Sequence, residues 1–456
     1  MRRTTIPACL LALLLWCGAG AVSAAAAEVA TPSAILITDV DVFDGLSEEV
    51  ARGRDVLVVG HLIRAVGRDL EAPPSATVID GGGRFLMPGL IDMHSHLATA
   101  EGLADGRDEW DAYSIGAVAA HNLVLFLEQG FTTTRGAGGP TLGLAKAIRA
   151  GRIPGPRLYP SGPWISQTAG HADLGYWTDP VDFRDYSELT GTSHVVDGRA
   201  EVLKAVRSNL RKGATQIKVM AGGGVASVFD PLSTTQLTAD ELRAAVEAAG
   251  DWGTYVMAHA YHDRSVNRCI DAGVKVIEHG ALMSEETVRR MAEEGVVWSI
   301  QAFLFHGLFS DPATMPSYLS AAQKKKATQL VDNFPRVAAW ARKYGVYMVS
   351  GGDTFGADYV KRNIENVVVE SEIGFTPYEA LLHATGNPGR LLKNRDFMAA
   401  DLDPYPEGTL GVIEPGGYAD LLIVDGNPLE DLTVLRDYRT NLVLIMKDGE
   451  VLKNTL

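Results

Sequence analysis

Two histidines one residue apart, His94 and His96, end an apolar run that begins Leu86-Met87-Pro88-Gly89-Leu90-Ile91-Asp92-Met93. Side chains alternate across a strand, so both imidazoles leave the same face of a strand end and can be presented to one metal ion. Other groups of the same chemical kind stand at the ends of other strand-like runs: Lys218 in Gln216-Ile217-Lys218-Val219-Met220, then His259, His279 and, just past a final run, Asp353. Singly each has an ordinary explanation. A barrel lysine pairs with a carboxylate, histidines sit satisfied in cores, and an aspartate after Gly351-Gly352 caps a helix. Jointly, four imidazoles, a lysine and a carboxylate make a nitrogen-and-oxygen donor set suited to zinc and neighbouring divalent ions. Lys218 is the odd member, because an ammonium has protons to donate and no lone pair for a metal.

The elements that must position these groups are short apolar strands alternating with helix-length segments. Strands are expected near 89–94, 132–136, 157–162, 216–220, 255–259, 274–279, 297–301 and 346–351. Segments such as 117–129, 199–212, 239–249 and 284–294 carry helical spacing with charged faces. Repeated strand–helix units imply a parallel (β/α)8 TIM barrel, whose functional residues lie at the C-terminal strand ends. Both termini instead read as β-rich runs broken by glycine turns, at 34–37, 40–43, 56–59, 62–66 and 77–80, then at 408–411, 419–426 and 442–449. Each set needs partners, so one small composite β-sandwich is expected from the two ends. The organisation is then a leader over 1–27, sandwich over 34–86 and 404–453, and barrel over 87–403.

Bulk properties agree with a large enzyme. The chain has 456 residues, 46% of them hydrophobic, with 48 glycines and a formal charge of −15. That acidity argues against nucleic acid or anionic membrane as a partner. Arg2-Arg3, the apolar stretch over 6–16 and Val22-Ser23-Ala24-Ala25-Ala26-Ala27 have the three regions of a secretory signal, with cleavage after Ala24 or Ala27. An uncleaved anchor is the alternative, although the apolar part is short for a span. Trp16 before Cys17 makes a poor lipoprotein site. Cleavage would remove Cys9 and Cys17 and leave Cys269 without an intramolecular disulfide partner. The expectation is an exported, periplasmic or secreted protein that makes no membrane contact after cleavage.

Pro88-Gly89-Leu90-Ile91-Asp92-Met93-His94-Ser95-His96 resembles the first metal-binding strand of the amidohydrolase superfamily, metal-dependent hydrolases built on (β/α)8 barrels. The likeness runs from about Ile35 to the C-terminus and is greatest to the branch of Xaa-Pro and Xaa-Lys/Arg dipeptidases that also contains bacterial ochratoxin amidohydrolases. Gly417-Tyr418-Ala419-Asp420-Leu421 resembles the signature of their composite β-domain. The resemblance implies that CO2 converts Lys218 to a carbamate whose oxygens bridge two divalent ions, most simply Zn2+. His94, His96 and Asp353 would complete one site, and His259 and His279 the other. It also implies that Asp353 shuttles a proton, that His171 in Gly170-His171 polarises the substrate carbonyl, and that Tyr261 donates to the carbonyl or a substrate carboxylate. The implied partner is a small amide or dipeptide, and the implied assembly a homo-oligomer.

Three readings compete. Hydrolysis of an amide next to a C-terminal amino acid, ochratoxin-type amides of phenylalanine included, leads. A cyclic-amide hydrolase or deaminase of the same superfamily is nearer than a silent barrel scaffold, and the filled ligand positions count against the scaffold. The glycine run in Ala221-Gly222-Gly223-Gly224-Val225-Ala226-Ser227 lacks the Lys-Ser/Thr ending of a phosphate loop, so nucleotide binding is not implied. Gly136 stands where relatives show Asp after Arg135, and Phe303, Phe305 and His306 are candidates for the pocket wall.

Overall fold

The β-rich runs at the two ends of the chain pair with each other. In the computed structural model, which describes residues 33–99, 110–227, 229–311, 313, 315–317 and 319–456, they form one seven-stranded sheet. The expected leader, 1–27, lies outside the described residues. Ala34–Val42 lies parallel to Thr77–Pro88, which in turn pairs antiparallel with Leu421–Val424 near the other end of the chain. The sheet curls back on itself. Ile63 N–H donates to Gly417 O at 2.8 Å and Ala419 N–H to His61 O at 2.9 Å, so one edge meets the segment leading into Leu421–Val424. Ile37, Val56, Ile63, Leu86, Ile423 and Leu444 fill the space between. The expected strand over 408–411 does not form. Gly411 adopts a left-handed φ of +69° and packs against Thr385 O, a conformation that ends strand geometry.

The (β/α)8 barrel follows the expected order. Leu90–Ser95, Phe131–Gly136 and Arg157–Tyr159 pair in parallel, as do Ile217–Met220, Val256–His262, Val276–Leu282, Val297–Ile300 and Met348–Ser350. The third strand is shorter than expected. Pro160 has no N–H to give the ladder and Gly162 turns at φ +73°, so the chain resumes only at Trp164–Ser166, which joins the fourth strand through Val219. Between the first and eighth strands no ladder is recorded among the described residues. Asp353 N–H donates to His94 O at 2.8 Å and closes the ring there.

Helices over Ala112–Glu128, Arg199–Arg211, Ala239–Gly250 and Glu285–Glu293 cover the outside, three of them capped by Asp111, Thr238 and Ser284. Inside, Met93, Tyr159, Tyr255, Met257, Val276 and Val349 pack the lower barrel against Leu391, Met398 and Tyr418 at its floor. The barrel is therefore solid below and has room only above. Among the described residues no helix is long and apolar enough to cross a membrane.

Candidate active site

A cavity opens at the mouth of the barrel and is lined by His94, His96, His171, Lys218, His259, Tyr261, His279 and Asp353 together. All eight catalytic and metal-ligand candidates of the sequence line it, from strands one, four, five, six and eight and the loop after strand three. Two of these residues have unusual backbone: His279 has φ +75° and Asp353 φ +51°, left-handed conformations that non-glycine residues seldom adopt. Strict alternation would send Glu278 and His279 to opposite faces. The left-handed turn at His279 lets both serve one site.

His94, His96 and Asp353 bring one donor atom each within 4.8 Å of one another. The two Nε2 atoms are 3.1 Å apart, and Asp353 Oδ1 lies 3.3 Å from the first and 2.9 Å from the second. His94 Nδ1–H donates to Glu278 Oε2 at 2.6 Å, which fixes its tautomer and turns a lone pair toward the cluster. Glu278 is itself gripped by Arg135 at 2.5 Å, and Arg135 Nε donates to Met93 O at 2.7 Å. On the other side, His259 Nε2–H donates to Gly223 O at 3.2 Å, leaving its Nδ1 free for a ligand, and its ring centroid is 4.6 Å from that of His279. His279 Nδ1 is buried without a hydrogen bond and lies 3.8 Å from Asp353 Oδ2, so Asp353 faces both histidine groups.

These groups fit a cation. Lone pairs converge, a carboxylate stands between imidazoles, and buried ring nitrogens lack protein partners. Burial drives the His96 imidazole down to about 4 and holds His259 and His279 well below the ordinary histidine value, so all three are neutral at pH 7. Burial would raise Asp353, but the surrounding imidazoles outweigh it and hold its carboxyl far below the usual range. Glu278 behaves alike: burial is overcome by Arg135 and His94. Lys218 is 1% exposed and has neither hydrogen bond nor ion pair among the described residues. Burial lowers its ammonium to about 8 despite Glu278 and Asp353 nearby. An amine of that kind is partly neutral near pH 8 and therefore nucleophilic.

The walls are apolar: Trp164, Met220, Phe303, Leu304, Phe309 and Phe355 surround the cluster, and Phe355 stacks on His96 at 4.5 Å. Asp353 is the one carboxylate among the described lining residues. Of the three wall candidates, only Phe303 faces the cavity. Phe303–Leu308 is a π-helix whose wide turn puts Phe305 behind Tyr261 and His279 and leaves His306 beside Glu372, 3.9 Å away. Asp353 caps nothing, since the next helix, Ala357–Val360, begins after Gly356. Sequence reasoning missed Glu278 and Arg135. Their signal was present only as charged residues inside buried strands, Glu278 after Val276-Ile277 and Arg135 after three threonines.

A family model described as the amidohydrolase family matches residues 85–453. The ochratoxinase of Aspergillus niger is 30% identical over 431 residues, covering 89% of this chain and 84% of that protein. A prolidase complexed with N-methylphosphonate-L-proline superposes with TM-score 0.84 at 31% identity, covering 93% of this chain and 100% of the other. A Xaa-Pro dipeptidase with bound methionine does so with TM-score 0.79 at 28% identity, covering 92% and 100%.

Proposed function

The chain belongs to the amidohydrolase family, metal-dependent hydrolases of amide bonds, and from that premise we propose that it cleaves N-acyl amino acids or dipeptides with two bound divalent ions, releasing the C-terminal amino acid. The observation that carries the reading is Lys218: a buried lysine, without a hydrogen bond or ion pair among the described residues, that lines the same cavity as the His94, His96 and Asp353 cluster and as His259 and His279. An unpaired buried ammonium is costly, whereas a carbamate at the same place is an anion flanked by cations. In this reading His94, His96 and Asp353 would hold one ion and His259 and His279 the other, with Lys218, as its carbamate, a ligand to both and zinc as the metal.

Bound there, the ions would supply a water acidified toward neutral pH and a Lewis acid for the scissile carbonyl. The protein's own side chains do the rest. Asp353 accepts a proton from the attacking water and delivers it to the departing amine, which leaves poorly as an anion. His171 and Tyr261 hold the substrate oxygen, and burial, with Asp353 and Asp230 nearby, keeps the Tyr261 hydroxyl protonated far above its ordinary range. The aromatic wall suits a bulky apolar substrate group. Among the described lining residues a lysine or arginine side chain meets no carboxylate except Asp353, which supports phenylalanine- and proline-type amides, ochratoxin A among them, over basic dipeptides. The reading includes export, on the pattern of residues 1–27, and homo-oligomeric assembly.

The test is reconstitution of chelated protein with zinc and bicarbonate, followed by a screen of amides ending in phenylalanine, proline, lysine or arginine. Two zinc ions per chain and hydrolysis of the apolar members are expected. No hydrolysis of any member would overturn the reading.

A further inference from the structure

We propose that Ser227 and Asp230 are positioning residues for His171, fixing the ring so that Nε2 is the nitrogen presented to bound substrate. The inference rests on the role given to His171 above and adds what holds it.

The ring is confined on both faces and at its Nδ1 edge. One face lies on the backbone of Gly224, where a Cβ would sit 1.9 Å from Cε1 and 2.2 Å from Nδ1. The other stacks on His259, centroids 4.1 Å apart and planes 22° from parallel. Its main-chain N–H donates to Gln236 Oε1 at 2.8 Å. At the edge, Nδ1 is 2.7 Å from Ser227 Oγ and 3.5 Å from Asp230 Oδ2.

Proton counting then decides the tautomer. A serine hydroxyl has one proton, and Ser227 donates it to Asp230 Oδ1. Asp230 has to be an acceptor throughout, because its Oδ2 also receives Gly224 N–H at 3.0 Å and Gln236 Nε2–H at 2.9 Å. Ser227 therefore offers His171 only a lone pair, and Nδ1 carries the proton between them. Nε2 is the ring nitrogen left for a ligand in the cavity that His171 lines. The ring thus offers Nε2 to a ligand from one fixed position, its other edge held by Ser227 and Asp230.

The loop that carries this pair is clamped from outside. Lys326, on the helix Ala321–Val331, donates from Nζ to the carbonyls of Gly224 at 3.0 Å, Ser227 at 3.0 Å and Asp230 at 2.6 Å. Gln323 on the same helix donates to Ala226 O at 2.7 Å. Segments after strands three, four and seven thus converge on one imidazole. Rigid support of this sort is what keeps a substrate-facing ring in a single geometry.

The test compares zinc-loaded wild type with Ser227→Ala, Ser227→Thr, Asp230→Asn and His171→Asn, using an N-acyl-phenylalanine and nitrogen NMR of labelled histidine rings. Ser227→Ala is expected to lower kcat by about 10- to 100-fold, with KM, zinc content and Tm near wild type, and to alter the His171 ring signals identified by their loss in His171→Asn. Ser227→Thr, which keeps a hydroxyl, is expected to restore both. Wild-type kcat with unmoved His171 signals in folded Ser227→Ala would overturn the inference, as would a fall of kcat only in step with lost zinc or lowered Tm. Should the wild type hydrolyse no amide, the functional reading fails while the ring signals still decide this one.

Discussion

At the floor of the barrel Arg157, buried at the start of the third strand, donates to Asp420 and Asp448 and lies 3.8 Å over the Tyr418 ring, while Lys393 pairs with Asp403 at 3.0 Å. At the mouth, Lys218 is as deeply buried and has no such partner among the described residues. Both regions take charge out of water: the cations of the floor have carboxylates against them, as Arg135 at the mouth has Glu278, and Lys218 has none within ion-pair distance among the described residues. Paired buried charge costs little net and holds parts in register; an unpaired one persists only where something outside the side-chain inventory completes it. The floor joins the barrel to the composite sheet, since Asp420 and Asp448 belong to the C-terminal β-rich segment. The mouth joins the protein to its chemistry.

The largest effect that separates the two is expected from Lys218→Met, close in length and uncharged. Zinc content and turnover should collapse, activity by at least about a thousandfold, while apo-protein stability holds or rises because an unpaired ammonium is gone. Marked destabilisation with retained activity would erase the distinction. Glu278→Gln comes next. Loss of the charge between Arg135 and His94 should weaken zinc binding by about 10- to 100-fold, read by chelator competition. At the floor, Arg157→Met strands Asp420 and should cost about 3–5 kcal/mol in denaturant unfolding. The kcat of the folded fraction should not move, and a fall in kcat would mean the floor is coupled to the site.

Cys269 gives the smallest effect and calibrates burial by itself. It lies fully buried on the helix Asp263–Ala272, and burial pushes its thiol up to about 12. Thiolate therefore forms only at pH well above neutral while the chain is folded. A thiol reagent at pH 8 should leave native protein unlabelled and react fully in denaturant; labelling of native protein would mean the wall opens.

Much of the mouth can be read from the chain because ligands stand near strand ends, and strands announce themselves as β-branched runs bounded by turns. His94 stands one residue before such an end, and the runs that carry His259 and His279 continue three residues farther, to His262 and Leu282. Their supports are not marked in this way. Glu278 meets His94 across 184 residues and Arg135 across 143, and alternation alone would turn Glu278 away from its neighbour's site. Ser227 and Asp230 are hidden in a glycine loop whose fold depends on Lys326, about a hundred positions on. Phe305 and His306 leave the cavity wall for a local reason: a π-helix advances the chain by a different angle from the strand that precedes it. Pairing of 408–411 is likewise a matter of one left-handed glycine.

The gap in the ladder between the first and eighth strands has a further consequence. Asp92 bridges it by accepting from Gly352 N–H at 2.9 Å and from Asn363 Nδ2–H at 2.7 Å, and His94 and His96 stand on one bank with Asp353 on the other. A cation gripped by those three is a clasp fastening the start of the ring to its finish. The enzyme would thus be switched on only when its last strand docks, and loading of the metal would be the latch that records completion.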